Sequence, residues 1–186
     1  EALCGLAIGF IGRLIFDAVQ ICGDFVGNMM GFASASQFDP QFETQTILIT
    51  RLQATLAMLV FLALDGHHIF IRTLVESFHA VGMGKAVFGK EFAQVLLDAS
   101  AHSIRLGLQL AAPIAVSFLG VNIVYAVLSK AIPQLNILVL SFSISALIGF
   151  VVLGISQPEF NHVFGEAVAQ MDTMIGNMAR ALGGKS

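Results

Sequence analysis

Tryptophan is absent from this sequence of 186 residues and tyrosine occurs once, although phenylalanine occurs 16 times. The side chains that usually line a membrane–water interface are therefore nearly missing. Charged residues are also scarce, at 11%, whereas 56% of the residues are hydrophobic. With a mean hydropathy of +0.85, the chain has too little polar surface to solvate a globule of this length, which excludes an ordinary soluble protein. The composition predicts an integral membrane protein whose outer surface is largely covered by other protein chains.

Cysteine is equally rare, since the chain contains only Cys4 and Cys22. On one continuous helix these two residues would stand about 27 Å apart, too far for a disulfide. We interpret both as small core residues. No paired carboxylates, Ser/His/Asp set or Cys/His set occurs at a spacing that a catalytic mechanism requires, and no phosphate-binding glycine loop is present. We predict no enzymatic activity, no cofactor and no nucleic-acid partner.

Histidine is the remaining candidate metal ligand, and two of the five histidines are adjacent, His67 and His68. Adjacent residues on a helix point about 100° apart, which makes them a poor pair of ligands unless Gly66 distorts the backbone. We interpret Asp65-Gly66-His67-His68 as a polar helix break. No metal site is predicted.

Two long charge-free runs, 106–129 and 131–158, are each long enough to cross roughly 30 Å of hydrocarbon as a helix. Pro133 lies just beyond the residue that separates them and prevents the first helix from continuing. The pair predicts an antiparallel hairpin with a polar tip. After Pro158, hydrophobic residues recur every three to four positions and predict an amphipathic C-terminal helix that ends at Gly183-Gly184.

The first apolar stretch, from Glu1 to Asn28, carries polar residues at spacings of four, three and four, which places them on one helical face. These are Arg13, Asp17, Gln20 and Asp24. Such a stripe is too costly to expose to lipid. It either packs between helices or against a wet interior, or it takes part in conduction. We assign these four residues, with Asp65, to polar positions buried between helices.

Glycines at four-residue spacing in this stretch and just after it predict a ridge on which another helix can pack closely. They are Gly5, Gly9, Gly23, Gly27 and Gly31. Further along, a helix is expected from Ile47 to about Val81, broken near Asp65. A glycine-rich loop, 82–89, separates it from an amphipathic helix over 90–105.

Between the two apolar helices lies a breaker-rich segment, 27–42, with no positive charge. Unpaired backbone groups in such a loop cannot face lipid, so the segment lines or blocks an aqueous path. Methionine and phenylalanine fill space while glycine lets the chain move, which suits a deformable gasket. The alternative is a static re-entrant loop anchored in a core. The candidate plug residues are Gly27, Met29, Met30, Gly31, Phe32, Phe38, Asp39, Pro40 and Phe42.

Several strings together resemble the R/T family of flagellar and type III secretion export-gate subunits. They are G-x-x-M-G followed by F-D-P over 27–40, Leu62-Ala63-Leu64-Asp65-Gly66-His67-His68, Leu110-Ala111-Ala112-Pro113-Ile114, and Pro133-Gln134-Leu135-Asn136-Ile137. Their order and spacing extend along nearly the whole chain. One departure is Ser141-Phe142-Ser143, where the family often has a Phe-Pro pair, so a kink there is not carried over.

This resemblance implies an all-α membrane protein, built of helical hairpins that form one segment of a helical export-gate assembly, with a re-entrant plug loop. It implies further hydrophobic helices before Glu1. Residues 1–103 would imitate the P subunit and 104–186 the Q subunit. The implied partners are FliP, FliQ, the switch subunit FlhB, membrane lipid and, transiently, unfolded export substrates. FlhB would contact the cytoplasmic-entrance turn, which comprises Pro133, Gln134, Leu135 and Asn136.

We therefore expect a structural and gating subunit of a protein-export channel in the bacterial inner membrane, at the flagellar basal body. One alternative is an ion or small-solute transporter that uses Arg13, Asp17, Asp24 and Asp65 as an intramembrane relay. Another is a membrane scaffold without a pore. A transporter would act alone in liposomes, whereas a gate subunit would need its partners.

Overall fold

A computed structural model describes the backbone of residues 2–31, 43–80, 89–131 and 137–183, with side chains over 5–31, 48–77, 89–131 and 143–183. Across these ranges the chain is helical with no strand, which confirms the all-α prediction. The five helices are α1 (Ala2–Met29), α2 (Glu43–Ala63), α3 (Gly66–Ala80), α4 (Lys90–Ala131) and α5 (Ile137–Leu182).

Helix α1 lies at the centre of the bundle and contacts each of the other four helices. Its inner face is buried, and the small residues Ala18, Val19 and Cys22 on this face have no exposed surface. Gly107 of α4 fits directly against this face, because a Cβ at that position would stand 2.8 Å from the Ala18 carbonyl oxygen. The absence of a side chain thus brings α1 and α4 into close contact.

The predicted glycine ridge on α1 is used in part within this chain. A Cβ at Gly23 would lie 2.8 Å from the Thr50 Cα of α2, so Gly23 is a point of close helix approach. At Gly5 and Gly9 an added Cβ would meet no described atom within 4 Å. The C-terminal part of the ridge, at Gly23, therefore packs on α2. The N-terminal part, at Gly5 and Gly9, packs against no described residue.

Helix α2 runs antiparallel to α1. The Thr50 hydroxyl donates a hydrogen bond of 2.8 Å to Asp24, and further along the pair the Phe16 and Phe61 rings meet edge to face, with 5.4 Å between centroids. After α2, the chain turns at Leu64 and Asp65 and continues as α3 with a bend of 69°. The predicted break in this region is confirmed.

Helices α4 and α5 form the predicted antiparallel hairpin. The hydroxyl groups of Tyr125 and Ser145 lie 3.2 Å apart across it, and α4 ends at Ala131, as expected from the proline that follows. Both helices are longer than the charge-free runs. Helix α4 begins at Lys90, so the amphipathic stretch 90–105 and the first run form one helix of 42 residues.

The second charge-free run was expected to end at Pro158, but α5 passes through that proline without ending, so the second hairpin helix and the amphipathic C-terminal helix are one helix. Proline costs a helix one hydrogen bond and crowds the preceding turn. Burial of the following side chains offsets this cost, and the Phe160 and Phe164 rings stack with 5.8 Å between centroids. The predicted apolar face is confirmed at Phe160, Phe164, Ala167, Met171, Ile175, Met178 and Leu182, all buried.

Within the described part of the chain, three helical segments are long and apolar enough to cross a membrane, namely Gly5–Met29, Lys90–Ala131 and Ser143–Leu182. The bent pair α2 and α3 is a fourth if it counts as one span. At 1.5 Å per residue α4 is about 63 Å long, roughly twice the hydrocarbon thickness of a bilayer. It therefore extends well beyond the hydrocarbon if it crosses upright.

Candidate functional site

The candidate plug segment leaves α1 later than its composition suggests. Gly27 and Met29 are helical, and the Met30 amide donates to the Val26 carbonyl at 2.9 Å, which continues the helical pattern. The helix is terminated at Gly31, whose φ of 86° is left-handed and whose amide bonds to the Asn28 carbonyl. Glycine adopts this helix-ending conformation without a Cβ penalty. Residues 27–29 of the candidate plug segment therefore belong to the last turn of α1.

Met30 is fully buried although it stands at the exit of a helix. It occupies the Gly149 notch, which we define as the surface of α5 left open by the missing side chain at Gly149. A Cβ at Gly149 would lie 2.5 Å from the Met30 Cε and 2.8 Å from its sulfur. The side chain of Met30 thus fixes the beginning of the candidate plug segment on α5. Gly27 is also buried, whereas Met29 and Gly31 are half-buried.

The two ends of the segment lie close together because α1 and α2 are antiparallel. Asp24 and Thr50 are paired, and Gly31 follows Asp24 by as many residues as Glu43 precedes Thr50. Two helices with adjacent ends need a connection of only about 2–5 residues. The stretch 32–42 is longer than this connection requires. The remaining plug candidates, Phe32, Phe38, Asp39, Pro40 and Phe42, lie outside the described residues.

The polar stripe of α1 lies on the side turned away from the centre of the chain. Arg13 pairs with Asp17 on the same helix at 3.5 Å, and Gln20 is exposed. Asp24 is exposed too but accepts the Thr50 hydrogen bond from α2. Burial of this stripe between helices of an assembly stays a prediction.

Asp65 stands at the elbow between α2 and α3 and is exposed. Its φ of 55° is left-handed, and its carbonyl accepts hydrogen bonds from the amides of His68 and Ile69, so it caps the start of α3. Its carboxylate lies 3.1 Å from Nδ1 of His68. Sequence spacing alone missed this grouping, because it assumed helical geometry across the break. The sequence did contain one indication of this geometry, because an aspartate directly before a glycine at a helix break favours a left-handed turn residue.

Three polar contacts between distant helices were also missed. The Ser103 hydroxyl of α4 donates to the Leu14 carbonyl of α1 at 2.6 Å, and the Thr73 hydroxyl of α3 donates to Asp172 of α5 at 2.9 Å. The third joins the amides of Gln53 and Gln157 at 3.4 Å. The sequence does not indicate which residue on another helix a single polar side chain in an apolar helix will contact.

The other candidate contact site, the turn Pro133, Gln134, Leu135 and Asn136, lies outside the described residues. The helix that precedes it is described to its last residue. Its final turns carry the exposed residues Lys130 and Ala131. The contact of this turn with FlhB stays a prediction.

The arrangement is that of a membrane helix bundle with an oversized connection at one end, and comparison with known sequences agrees with it. The family model "Bacterial export proteins, family 1" matches residues 1–171. The flagellar biosynthetic protein FliR of Bacillus subtilis (strain 168) is 31% identical over 156 residues, which cover 82% of this chain and 60% of that protein. FliR of Escherichia coli (strain K12) is 29% identical over 170 residues, covering 89% and 65%.

A third relative, FliR of Aquifex aeolicus (strain VF5), is 32% identical over 158 residues, covering 85% of this chain and 61% of that protein. The chain thus spans 60–65% of the length of these relatives. Their names refer to flagellar biosynthesis and not to an enzymatic reaction. On the match over residues 1–171, this chain belongs to the bacterial export proteins, family 1.

Proposed function

We propose that this chain is a structural and gating subunit of the flagellar, type III protein-export channel in the bacterial inner membrane. In this role its helices close one part of the export-gate ring, and the segment 27–42 obstructs the lumen at rest. Unfolded flagellar substrates pass when the segment gives way. The chain binds polypeptide transiently and catalyses nothing.

Two features of the connection between α1 and α2 together support this proposal: its first residue is fixed, and the rest is longer than the connection needs. Met30 is held in the Gly149 notch, while 32–42 is longer than the connection between α1 and α2 requires. Long connections in compact domains usually serve a function. Phe32, Phe38 and Phe42 supply hydrophobic bulk in this stretch. A loop fixed at its base and rich in such residues is suited to close around a passing chain.

The proposed partners are FliP, FliQ and FlhB. Support comes from the outward faces of α4 and α5, which carry large exposed hydrophobic side chains such as Leu119, Ile123 and Ile155. We propose that the half 1–103 takes the place of a P subunit and 104–186 that of Q. The two halves share helix α4, because the boundary falls inside it. FlhB is proposed to bind at the turn Pro133–Asn136.

The test is a deletion of 32–38 in the full-length protein, which removes Phe32 and Phe38 from the segment but leaves Met30 and Gly31 in place. A matched variant replaces the same residues with glycine and serine at unchanged length. Membrane conductance and flagellar secretion are measured in strains that express equal amounts of protein. We expect ion leak from the deletion and a smaller leak from the replacement. Conductance equal to that of the parent strain in both variants would refute the plug.

A small-solute transporter is the less favoured alternative. Its relay would need a connected series of charges, but Arg13 and Asp17 pair with each other along one helix, and Asp65 pairs with His68 at the elbow. In liposomes, the purified full-length protein should move neither protons nor solute. A scaffold without a pore predicts that no translocating substrate crosslinks to a probe at Phe38. Met30 is a poor probe position because it is buried.

A further inference from the structure

The elbow between α2 and α3 brings together three side chains that commonly bind metals. Asp65 ends the turn, Gly66 begins α3, and His67 and His68 follow in its first turn. Gly66 packs directly on the Phe61 ring, where any Cβ would overlap that ring. The glycine and the left-handed φ of Asp65 together set an elbow geometry that a continuous helix would not have.

The ligand atoms of Asp65, His67 and His68 all lie within 4.8 Å of one another. The carboxylate oxygen of Asp65 and Nδ1 of His68 are already 3.1 Å apart. Two ligands at about 2.0–2.1 Å from a tetrahedral Zn²⁺ are themselves roughly 3.4 Å apart. The rings of His67 and His68 have centroids 4.1 Å apart. The three groups are therefore close to the spacing that a single ion requires.

A second, independent observation is the state of His67. Its Nδ1 is buried and has no hydrogen-bond partner among the described residues. Buried polar atoms in native proteins are nearly always paired, and an ion is one of the recognised explanations for an exception. Neutral imidazole is also the commonest metal ligand among side chains.

We propose that Asp65, His67 and His68 form a binding site for a divalent transition-metal ion of the Zn²⁺ type. Two imidazole nitrogens and one carboxylate favour such an ion over Mg²⁺ or Ca²⁺, which prefer oxygen ligands. The side chains of Asp65 and His68 are 73% and 71% exposed, so the remaining coordination position faces solvent. The ion links Asp65 in the turn to His67 and His68 in the first turn of α3, at the 69° bend.

This site does not depend on the proposed function, and Zn²⁺ alone is the probe. The full-length protein in detergent is stripped with a chelator, dialysed against a Zn²⁺ series, and its bound metal is measured. The variants are Asp65→Asn, His67→Gln and His68→Gln. Asparagine tolerates the left-handed conformation of residue 65, so Asp65→Asn removes a charge without disturbing the turn. The control is His162→Gln, which disrupts an exposed histidine–glutamate pair on α5 with 3.8 Å between the two groups.

We expect one Zn²⁺ per wild-type chain and at least tenfold weaker binding in each elbow variant, with binding by His162→Gln unchanged within twofold. Co²⁺ in place of Zn²⁺ should give visible d–d absorption that Asp65→Asn abolishes. Should His67→Gln fail to fold, the two exposed positions, Asp65 and His68, decide the question. The proposal is overturned if the wild type retains no Zn²⁺, if Asp65→Asn binds as tightly as the wild type, or if His162→Gln weakens binding as much as the elbow variants.

Discussion

The centre of the bundle and the outer part of the hairpin are both strongly hydrophobic, yet their side chains are placed in opposite ways. We call the second region the outer arm, residues 119–131 of α4 with 143–155 of α5. On α1, the residues Ala18, Val19, Cys22 and Val26 are fully buried. Over 119–131, every residue is exposed or half-buried, and over 143–155 only Ser145, Gly149 and Leu153 are buried.

The difference shows that hydrophobicity in this protein does not measure burial within the chain. At the centre, small residues bring helix backbones together, as at Gly107 and Gly23. In the outer arm, large residues such as Leu119, Leu147 and Ile155 point outward. Lipid is as apolar as these side chains and exerts no pressure to bury them. Close packing therefore depends on where the glycines lie.

The largest expected change in stability comes from comparing alanine substitutions of two phenylalanines, one buried and one exposed. Phe118 is fully buried at the inner border of the outer arm, whereas Phe150 is 51% exposed. Phe118→Ala should lower the free energy of unfolding by about 3–5 kcal/mol, because it leaves a cavity. Phe150→Ala should change it by less than about 1 kcal/mol. The measurement is unfolding of the full-length protein in mixed detergent, and equal losses from the two variants would contradict the contrast.

A smaller effect is expected from filling a close helix contact. In Gly107→Ala the new Cβ would lie 2.8 Å from the Ala18 carbonyl oxygen and 2.9 Å from the Ile21 side chain. A backbone oxygen within a helix cannot move alone, so α1 and α4 must separate. Overpacking of this kind costs about 1–3 kcal/mol.

The matched control for this variant is Gly120→Ala on the same helix, where a Cβ would meet nothing within 4 Å. Alanine is the better helix former by about 1 kcal/mol, so this control should be neutral or stabilising. Thermal unfolding in detergent measures both variants. A Gly107→Ala protein as stable as Gly120→Ala would mean that α1 and α4 are not in close contact.

The helices themselves were largely predictable, because the spacing of hydrophobic residues along a helix determines which face is buried. The three-to-four-residue period after Pro158 correctly predicted a buried face that includes Phe164 and Met178. The period did not reveal that α5 continues through Pro158. That outcome depends on how much side-chain burial beyond the proline offsets the lost hydrogen bond.

The contacts of the candidate site were less predictable, because they join residues far apart in the chain. Gly149 and Gly154 are both glycines in the apolar part of α5, yet only Gly149 receives Met30. Similarly, the shared face of Asp17 and Asp24 followed from helical periodicity, but the pairing of Asp24 with Thr50 did not. Sequence periodicity describes one helix at a time, whereas these contacts depend on how two helices are aligned.

The smallest effect on stability is expected from a substitution at Gly149. This buried glycine contacts Met30, at the start of the candidate plug segment. In Gly149→Ala the added Cβ would stand 2.5 Å from the Met30 Cε. A methionine side chain can rotate away, so we expect a loss of only about 1 kcal/mol. Met30 should nevertheless leave the notch, which would shift the NMR signal of its ε-methyl group.

Gly154→Ala is the matched control on the same helix, because a Cβ there would contact nothing within 4 Å. It should leave the Met30 methyl signal unchanged and the protein at least as stable. If the segment 27–42 is a plug held at its base by Met30, Gly149→Ala should also raise membrane conductance, while Gly154→Ala should not. A Met30 signal that is the same in both variants would show that the notch does not hold the segment. A shifted Met30 signal without ion leak would show that the segment seals the pore even when Met30 has left the notch. Fixation at Met30 would then not be needed for gating.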